Sequence, residues 1–439
     1  MKTLLSLVTV VCLGLSSALG AAAPHQITAI DRPDSQQVRL SLAGGLATEY
    51  QEYYDIFPLE TSADQKNWAV TATLFRTNSV AGPILSFQPS TNRVGFFRIP
   101  TNGCPTAFPK PTGPYQVGTV SRLFASATRN TTVVGPNRKF MVSLFYPAAP
   151  AVWRPPQFVF EPIYGPVLFS SEFLTNPRSV DVITNLLSHA WPGLPVVAGT
   201  NSFPVLVYSH GSGYFRRDNI HKFSELASHG YIVVAADDYD SAYSYLPDGT
   251  LVTGTGKING GEAYSVADNQ FLIDELERMN ISDPMFAGRF DLSKIGALGW
   301  SVGGAVAGDL CRLDARVKAA VLYDAAFWIA PELSQNGLNK PFLCINATTE
   351  LQAGWAAAAI ALFNQATHDA LFFQINGTYH AEFSDIILMD YPGTTELQQT
   401  ALIVNYTRAF FNHYLRGTTE PLLNAPTSNG ATIVNWMKK

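Results

Sequence analysis

The sequence predicts an α/β fold, in which helices cover both faces of a mostly parallel β-sheet, preceded by a small N-terminal β-sandwich module. Beyond residue 205, short and continuously apolar segments alternate with segments of helical periodicity, as they do in buried parallel sheets. Before residue 100, apolar and polar residues alternate at every second position, with Gly, Pro, Asn and Asp between the runs. A segment rich in Pro and Gly, Gly103–Gly113, separates the two patterns. We therefore expect the β-rich module over residues 24–102 and the α/β domain over residues 111–425.

The β-rich module contains four segments with the alternating pattern. They are predicted to be strands at Ile27–Ile30, Gln37–Leu42, Trp68–Phe75 and Arg93–Ile99. Short strands with turn residues between them favour a small sandwich. The module carries no cluster of reactive side chains, so two roles stay open for it: a packing or stability module, and a binding module.

The larger domain begins with two predicted strands, Val117–Leu123 and Phe140–Tyr146. Further strands are predicted at Val205–Ser209, Tyr231–Ala236, Ile295–Gly299, Ala319–Tyr323, Pro341–Ile345 and Leu371–Ile375. Helices are predicted at Ile220–Ser228, Val266–Met279 and Thr395–Leu415, the last of which is expected to close the domain. This alternation of strands and helices is typical of a mostly parallel sheet with helices on both faces.

Composition excludes two classes of protein. Of the 439 residues, 47% are hydrophobic and only 14% are charged, which is the opposite of the balance found in disordered chains. The net charge is −5, and no cluster of Lys and Arg is longer than the pair Arg216–Arg217. Because proteins that bind nucleic acid need a basic surface, we expect no nucleic-acid partner.

The N-terminus has the pattern of a secretory signal peptide over residues 1–20. Lys2 precedes an apolar run from Leu4 to Leu15, and Ala18–Gly20 supplies the small residues that a signal peptidase recognises. The run is too short for a transmembrane anchor, so we expect a secreted, extracellular protein, or a periplasmic one if the source is bacterial. Without the signal, the chain keeps Cys104, Cys311 and Cys344, which allow at most one internal disulfide.

One motif carries chemistry. Residues Gly299-Trp300-Ser301-Val302-Gly303 fit the G-x-S-x-G pattern, in which a serine lies on a sharp turn between a strand and a helix. Small residues are required around this serine, because side chains two positions away would collide in the strained turn. The predicted strand before Ser301 and the small residues after it supply this context for a nucleophile.

A serine hydroxyl needs a base to accept its proton, and the base needs an acid to orient it. In the α/β-hydrolase fold, these partners follow the serine in the order acid and then histidine. Asp324 ends one predicted strand and His380 follows a later one, so both are expected at the carboxyl edge of the sheet. The rival bases are His368, which precedes its strand, and His413, which lies within the closing helix. The rival acid is Glu350, which follows the strand that contains Cys344.

The oxyanion of the reaction needs two backbone N–H donors. The first is expected from Val302, the residue after the nucleophile, and the second from Ser212 in the segment His210-Gly-Ser-Gly213. His210 itself is interpreted as a structural hydrogen-bonding residue. Aromatic side chains close to these positions are expected to line an apolar substrate pocket: Tyr214, Phe215, Trp300 and Trp328. No metal-ligand spacing occurs, and no cofactor is expected.

The chain resembles the secreted platelet-activating-factor acetylhydrolase family of the α/β-hydrolase superfamily, of the lipoprotein-associated phospholipase A2 type. The resemblance lies in the segments "PTGPYQVGT", "FPVLVYSHGSGYFRRDNI", "LASHGYIVVAADDYD", "FDLSKIGALGWSVGGA", "AAVLYDAAFW", "KPFLCIN" and "INGTYHAEFSDI". It implies the α/β-hydrolase fold and a carboxylic ester hydrolase similar to 1-alkyl-2-acetylglycerophosphocholine esterase. It also implies Ser301 as nucleophile, Asp324 as acid, His380 as base, and the amides of Ser212 and Val302 as oxyanion donors.

The sequence therefore predicts a secreted serine esterase that forms an acyl-enzyme and acts on short-acyl phospholipids or related short-chain esters. The expected substrate is a small-molecule or lipid ester, and such a substrate is compatible with peripheral contact between the protein and a lipid surface. One alternative is a cutinase-like polyester hydrolase or lipase, in which the acid would be Glu350. A second alternative is a catalytically silent hydrolase fold that serves in adhesion or binding, although such proteins usually lack the nucleophile or the base.

Overall fold

The structure is a computed structural model that describes residues 23–31, 38–45, 55–62, 66, 69–76, 84–87, 96–98, 108–131, 135–150, 188–199, 201–238, 243–248, 250–253, 261–349, 354–385, 388, 394–427 and 432–439. The predicted signal peptide, Cys104 and Glu350 lie outside these residues. The chain divides into two compact units, one formed by Met1–Lys110 with Asp181–Leu187 and the other by Pro111–Val180 with Ser188–Lys439.

The first unit contains two antiparallel sheets of three strands each among its described residues. Its strands are β1 (Ala23–Asp31), β2 (Val38–Gly45), β3 (Asp55–Ser62), β4 (Ala69–Arg76), β5 (Ile84–Phe87) and β6 (Phe96–Arg98). The orders are β1-β2-β5 and β4-β3-β6. All four predicted strands overlap observed ones, whereas β3 and β5 were not predicted. The arrangement of the two sheets as a sandwich stays a prediction.

The second unit is built around a ten-stranded sheet in the part of the chain that the structure describes. The strands of this unit are β7 (Gln116–Thr131), β8 (Gly135–Ala148), β9 (Ala190–Pro192), β10 (Phe203–Ser209), β11 (Ile232–Ala236), β12 (Tyr243–Tyr245), β13 (Leu251–Thr253), β14 (Phe290–Trp300), β15 (Val317–Tyr323), β16 (Phe342–Thr349), β17 (Ala370–Tyr379) and β18 (Ile433–Lys438). The order in the sheet is β9-β7-β8-β11-β10-β14-β15-β16-β17-β18, and β12 and β13 form a separate hairpin. The six strands from β11 to β17 in this order are parallel, which confirms the mostly parallel sheet.

The helices of this unit are α1 (Ile220–Ser228), α2 (Gly261–Ser282), α3 (Val302–Leu313), α4 (Pro331–Asn336), α5 (Trp355–Gln365) and α6 (Thr394–Arg416). Helix α3 packs on β10, β14 and β15 and against α2, while α6 packs on β14, β15 and β16 and against α1. Helices thus cover both faces of the sheet, as predicted. No helix of the described residues is both long enough and apolar enough to cross a bilayer.

The prediction that helix Thr395–Leu415 closes the domain is wrong. Strand β18 follows it and pairs antiparallel with β17 at the edge of the sheet. The register of this pair shifts near Asn435, whose backbone has a positive φ of 53°. The side chains of β18 are only half-buried or exposed, so this strand lacks the continuous apolar pattern of the central strands.

The central strands carry the core and place their carboxyl ends together. Ser209 pairs with Gly299, Trp300 with Tyr323, and Tyr323 with Ile345 across neighbouring strands. The residues that follow β10, β14 and β15 therefore meet at one edge of the sheet, which is where open parallel sheets place their functional groups. Cys311 and Cys344 are buried free thiols in this core, and burial raises the pKa of Cys311 to about 12.

Candidate active site

Ser301 occupies a strained turn between β14 and α3. Its φ is 59° and its ψ is −123°, a backbone conformation that costs a non-glycine residue about 1–3 kcal/mol. Glycine makes the turn sterically possible: a Cβ on Gly299 would lie 2.0 Å from the carbonyl oxygen of Gly303. A Cβ on Gly303 would lie 2.1 Å from the carbonyl oxygen of Ser209. The glycine pattern of the sequence thus has a direct steric cause.

Backbone hydrogen bonds hold Ser301 against the end of β15. Its N–H donates to the carbonyl oxygen of Tyr323 over 3.0 Å, and its own carbonyl oxygen accepts from the N–H of Ala326 over 2.9 Å. The two bonds bracket Asp324, so the turn that carries the serine and the turn that carries the carboxylate are tied to one another. Ser301 is 7% exposed and lies at the carboxyl edge of the sheet.

Asp324 is buried and accepts hydrogen bonds on both carboxylate oxygens. Oδ1 accepts from Nδ2 of Asn346 over 3.0 Å and from the N–H of Ala347 over 3.2 Å. Oδ2 lies 2.6 Å from Nδ1 of His380, which donates because a carboxylate oxygen can only accept. The backbone of Asp324 has a positive φ of 38°, so this residue too is held in an unusual conformation.

His380 lies between two tryptophans at the end of β17. Its ring centroid is 5.1 Å from that of Trp300 and 4.7 Å from that of Trp355. The backbone carbonyl oxygen of His380 accepts a hydrogen bond from Nε1 of Trp300 over 2.9 Å. Since Nδ1 is bonded to Asp324, Nε2 is the nitrogen left for a reacting group. Neither Trp355 nor Asn346 was predicted to belong to the site, because no local motif marks either residue.

The turn after His380 is anchored to helix α1. Asp385 accepts from the N–H of His221 over 2.6 Å and from Nζ of Lys222 over 3.0 Å. The N–H of Asp385 in turn donates to the carbonyl oxygen of Asp218 over 2.8 Å. Lys222 and Asp385 have fully buried side chains, and their ion pair joins the histidine turn to α1.

The loop that follows β10 approaches the serine turn closely. A Cβ on Gly211 would lie 2.6 Å from Cε3 of Trp300, and Gly213 has a φ of 76°. Ser212 is half-buried in this loop. Helix α3 begins at Val302, and the first N–H groups of a helix have no partner within the helix and lie at the positive end of its dipole.

The aromatic residues predicted to line a pocket differ in their exposure. Trp300 and Phe215 are buried, at 2% and 6% exposed, and Tyr214 is half-buried with its ring edge-on to Trp300 at 4.6 Å. Trp328, in a 3₁₀ turn at Phe327–Ile329, is 59% exposed. The structure therefore brings Tyr214 and Trp300 together and leaves Trp328 on the surface.

The rival bases lie elsewhere. His368 precedes β17 and is exposed at the opposite edge of the sheet, while Nδ1 of His413 in α6 bonds to the carbonyl oxygen of Thr418 over 2.8 Å. Within the described ranges, no group of three or more His, Cys, Asp or Glu side chains is arranged to hold a metal ion.

The comparisons with known proteins place the chain in a family. The family model of platelet-activating factor acetylhydrolase, isoform II, matches residues 103–247 and 264–392. The chain belongs to this family. Both matched ranges include candidate residues, with Ser212 in the first and Ser301, Asp324 and His380 in the second. Membership of the platelet-activating factor acetylhydrolase family confirms the predicted carboxylic ester hydrolase.

Two relatives support the same assignment. A platelet-activating factor acetylhydrolase from Cavia porcellus is 27% identical over 321 residues, which cover 64% of this chain and 69% of the relative. The solved structure of a ferulic acid esterase from Streptomyces cinnamoneus is 26% identical, with a TM-score of 0.64. That likeness covers 75% of this chain and 99% of the esterase, so the structural neighbour and the acetylhydrolase family agree on ester hydrolysis.

Proposed function

We propose that this protein is a serine esterase whose catalytic residues are Ser301, His380 and Asp324. The observation that supports this most strongly is the 2.6 Å hydrogen bond from Nδ1 of His380 to the buried carboxylate of Asp324, beside a serine in a strained turn. A bonded carboxylate selects the tautomer in which Nε2 of the histidine is free to accept a proton.

The reaction proceeds through an acyl-enzyme. Oγ of Ser301 attacks the ester carbonyl carbon while Nε2 of His380 takes the hydroxyl proton, and Asp324 stabilises the imidazolium that forms. The tetrahedral intermediate collapses when His380 gives that proton to the departing alkoxide, and the alcohol leaves. Water then attacks the acyl-enzyme by the reverse sequence and releases the carboxylic acid.

The negative charge on the tetrahedral intermediate is held by backbone amides. Val302 lies at the first position of α3, where the N–H has no helical partner, and Ser212 lies in the loop whose Gly211 packs against Trp300. Two N–H groups directed at one oxygen are the usual oxyanion site of this fold, and one such donor contributes about 3–4 kcal/mol to lowering the barrier.

The proposed substrates are short-acyl phospholipids or related short-chain esters. Support comes from the acetylhydrolase relative and from the aromatic rings of Trp300 and Trp355, which lie 5.1 and 4.7 Å from the ring of His380. The ferulic acid esterase neighbour makes esters of aromatic acids the substrates to compare. We also propose that the protein is secreted, on the signal pattern of residues 1–20.

The test is covalent labelling followed by a substrate panel. A fluorescent alkyl phosphonate should label the protein once, at Ser301, and Ser301→Ala should abolish both labelling and ester hydrolysis. Ser282→Ala, at an exposed serine of α2, is the matched control and should label like the wild type. The panel compares p-nitrophenyl acetate, an acetylated phospholipid, methyl ferulate and a polyester film. Labelling that persists in Ser301→Ala would refute the assignment of the nucleophile.

A further inference from the structure

We propose that His210 is a positioning residue that fixes the direction of the oxyanion-binding N–H of Ser212. The inference rests on the proposed function, in which that amide holds the tetrahedral oxygen. His210 is 4% exposed and directly follows β10, and nothing in the proton transfer of Ser301, His380 and Asp324 uses it.

The hydrogen bonds of His210 determine its tautomer. The backbone N–H of Asp238 donates to Nε2 of His210 over 2.9 Å, so Nε2 carries no proton. In a neutral imidazole the proton then lies on Nδ1, which is 2.7 Å from the carbonyl oxygen of Gly211 and donates to it. The ring thus links the end of the neighbouring strand to the first peptide unit of the oxyanion loop.

That peptide unit contains the N–H in question. The carbonyl of Gly211 and the N–H of Ser212 belong to one planar trans unit and point in opposite directions. The carbonyl oxygen of Gly211 also accepts from the N–H of Tyr214 over 3.1 Å. With its oxygen held by two donors, the unit cannot rotate, and the N–H of Ser212 is directed away from His210.

The neighbouring strand holds the loop at both ends. Asp237 and Asp238 directly follow β11, the parallel neighbour of β10. Asp238 supplies the N–H that holds His210, and its side chain accepts from Ser265. At the far end of the loop, Asp237 accepts from the N–H of Arg216 over 2.7 Å and from the guanidinium of Arg216 over 2.6 Å.

Holding the N–H of Ser212 in place matters because an unrestrained loop would lose conformational entropy when it binds the oxyanion. The segment Gly211–Tyr214 contains two glycines and is largely half-buried, so it would lose backbone entropy each time it organised around an oxyanion. A preorganised donor avoids that cost at the moment of reaction. His210 therefore acts on the transition state more than on substrate binding.

The test uses two amides that each replace one nitrogen of the imidazole. His210→Asn retains a donor near the position of Nδ1 and therefore the bond to the carbonyl oxygen of Gly211. The longer side chain of His210→Gln can still accept from the N–H of Asp238, but it loses the bond to Gly211. We expect His210→Gln and His210→Ala to lower kcat on p-nitrophenyl acetate by about 10²-fold with little change in KM, as for a lost oxyanion donor. His210→Asn should stay within about fivefold of the wild type, the effect of one ordinary hydrogen bond.

A transition-state analogue separates positioning from general damage to the fold. In His210→Gln, Ki for a trifluoromethyl ketone should rise by the same factor as kcat/KM falls, because its hemiketal oxyanion occupies the same amides. Equal losses in the Asn and Gln variants, full activity in Gln and Ala, or an unchanged Ki would each overturn the proposal. For variants that do not fold, ¹⁵N-histidine spectra of the wild type decide: a proton on Nε2 of His210 would overturn it. An inactive wild type would instead refute the proposed function.

Discussion

The indole N–H of Trp300 donates to the backbone carbonyl oxygen of His380 over 2.9 Å. The residue directly before the proposed nucleophile therefore holds the main chain of the proposed base, across β15 and β16. Trp300 thereby couples the position of the histidine to the turn that carries Ser301. A residue expected to line the pocket has, in the structure, a bond that anchors the site.

Trp300→Phe removes this bond while it keeps an aromatic ring against His380. We expect kcat to fall about fivefold to tenfold, because one hydrogen bond contributes about 1 kcal/mol and its loss lets the histidine main chain shift. Trp355→Phe is the matched control, since Nε1 of Trp355 has no hydrogen-bond partner among the described residues. Steady-state kinetics of both variants check this, and an equal or larger loss in Trp355→Phe would contradict the anchoring role.

Asp324→Asn tests the acid. Asparagine would present its amide to His380 and favour the wrong tautomer, so kcat should fall about 10³–10⁴-fold with little change in stability. Glu350→Gln, at the position the cutinase-like alternative requires, should remain close to the wild type. The two variants are compared by kcat on one activated ester. A large loss of kcat in Glu350→Gln, with kcat of Asp324→Asn close to the wild type, would identify Glu350 as the acid instead.

Gly303→Ala and Gly308→Ala compare two glycines of α3. A Cβ at residue 303 would meet the backbone of Ser209 at 2.1 Å, whereas one at residue 308 would meet only the side-chain end of Leu333 at 2.6 Å. We expect Gly303→Ala to cost about 3 kcal/mol of unfolding free energy and to abolish activity, since backbone cannot move aside. Gly308→Ala should stay within about 1 kcal/mol, because helix propensity offsets the shift of Leu333. Urea denaturation measures the unfolding free energy of both variants. Similar midpoints would show that α3 can shift to accommodate a methyl group at either position, which contradicts the prediction.

Asp218→Asn should reveal a pH-dependent stability. Burial raises the pKa of Asp218 from 3.8 to about 7, so between these values the folded protein retains a proton that the unfolded chain has lost. The unfolded state then binds fewer protons, and this residue makes the protein less stable as pH rises from about 4 to about 7. The difference in unfolding free energy between Asp218→Asn and the wild type should therefore shift in favour of the variant over that interval. Parallel pH profiles of the two proteins would contradict the raised pKa.

Local sequence patterns predicted much of the fold. Helix α1 has the predicted bounds, because its apolar spacing and the glycine after it are both local signals. All predicted strands of the larger unit overlap observed ones, because buried parallel strands must be apolar on both faces. Strand β18 was missed, since an edge strand with a shifted register and partly exposed side chains has no such pattern.

By itself, the sequence determined the fold class, the family and the turn at Ser301, because the steric demands of a strained turn and of close helix packing act on neighbouring residues. Only the tertiary structure decided which distant groups meet: Asp324 with His380, 56 positions apart, Asn346 with Asp324, and Trp300 with the main chain of His380. These contacts depend on the order and register of four strands. Side chains at strand ends become neighbours only when the sheet assembles, and no local spacing encodes that distance.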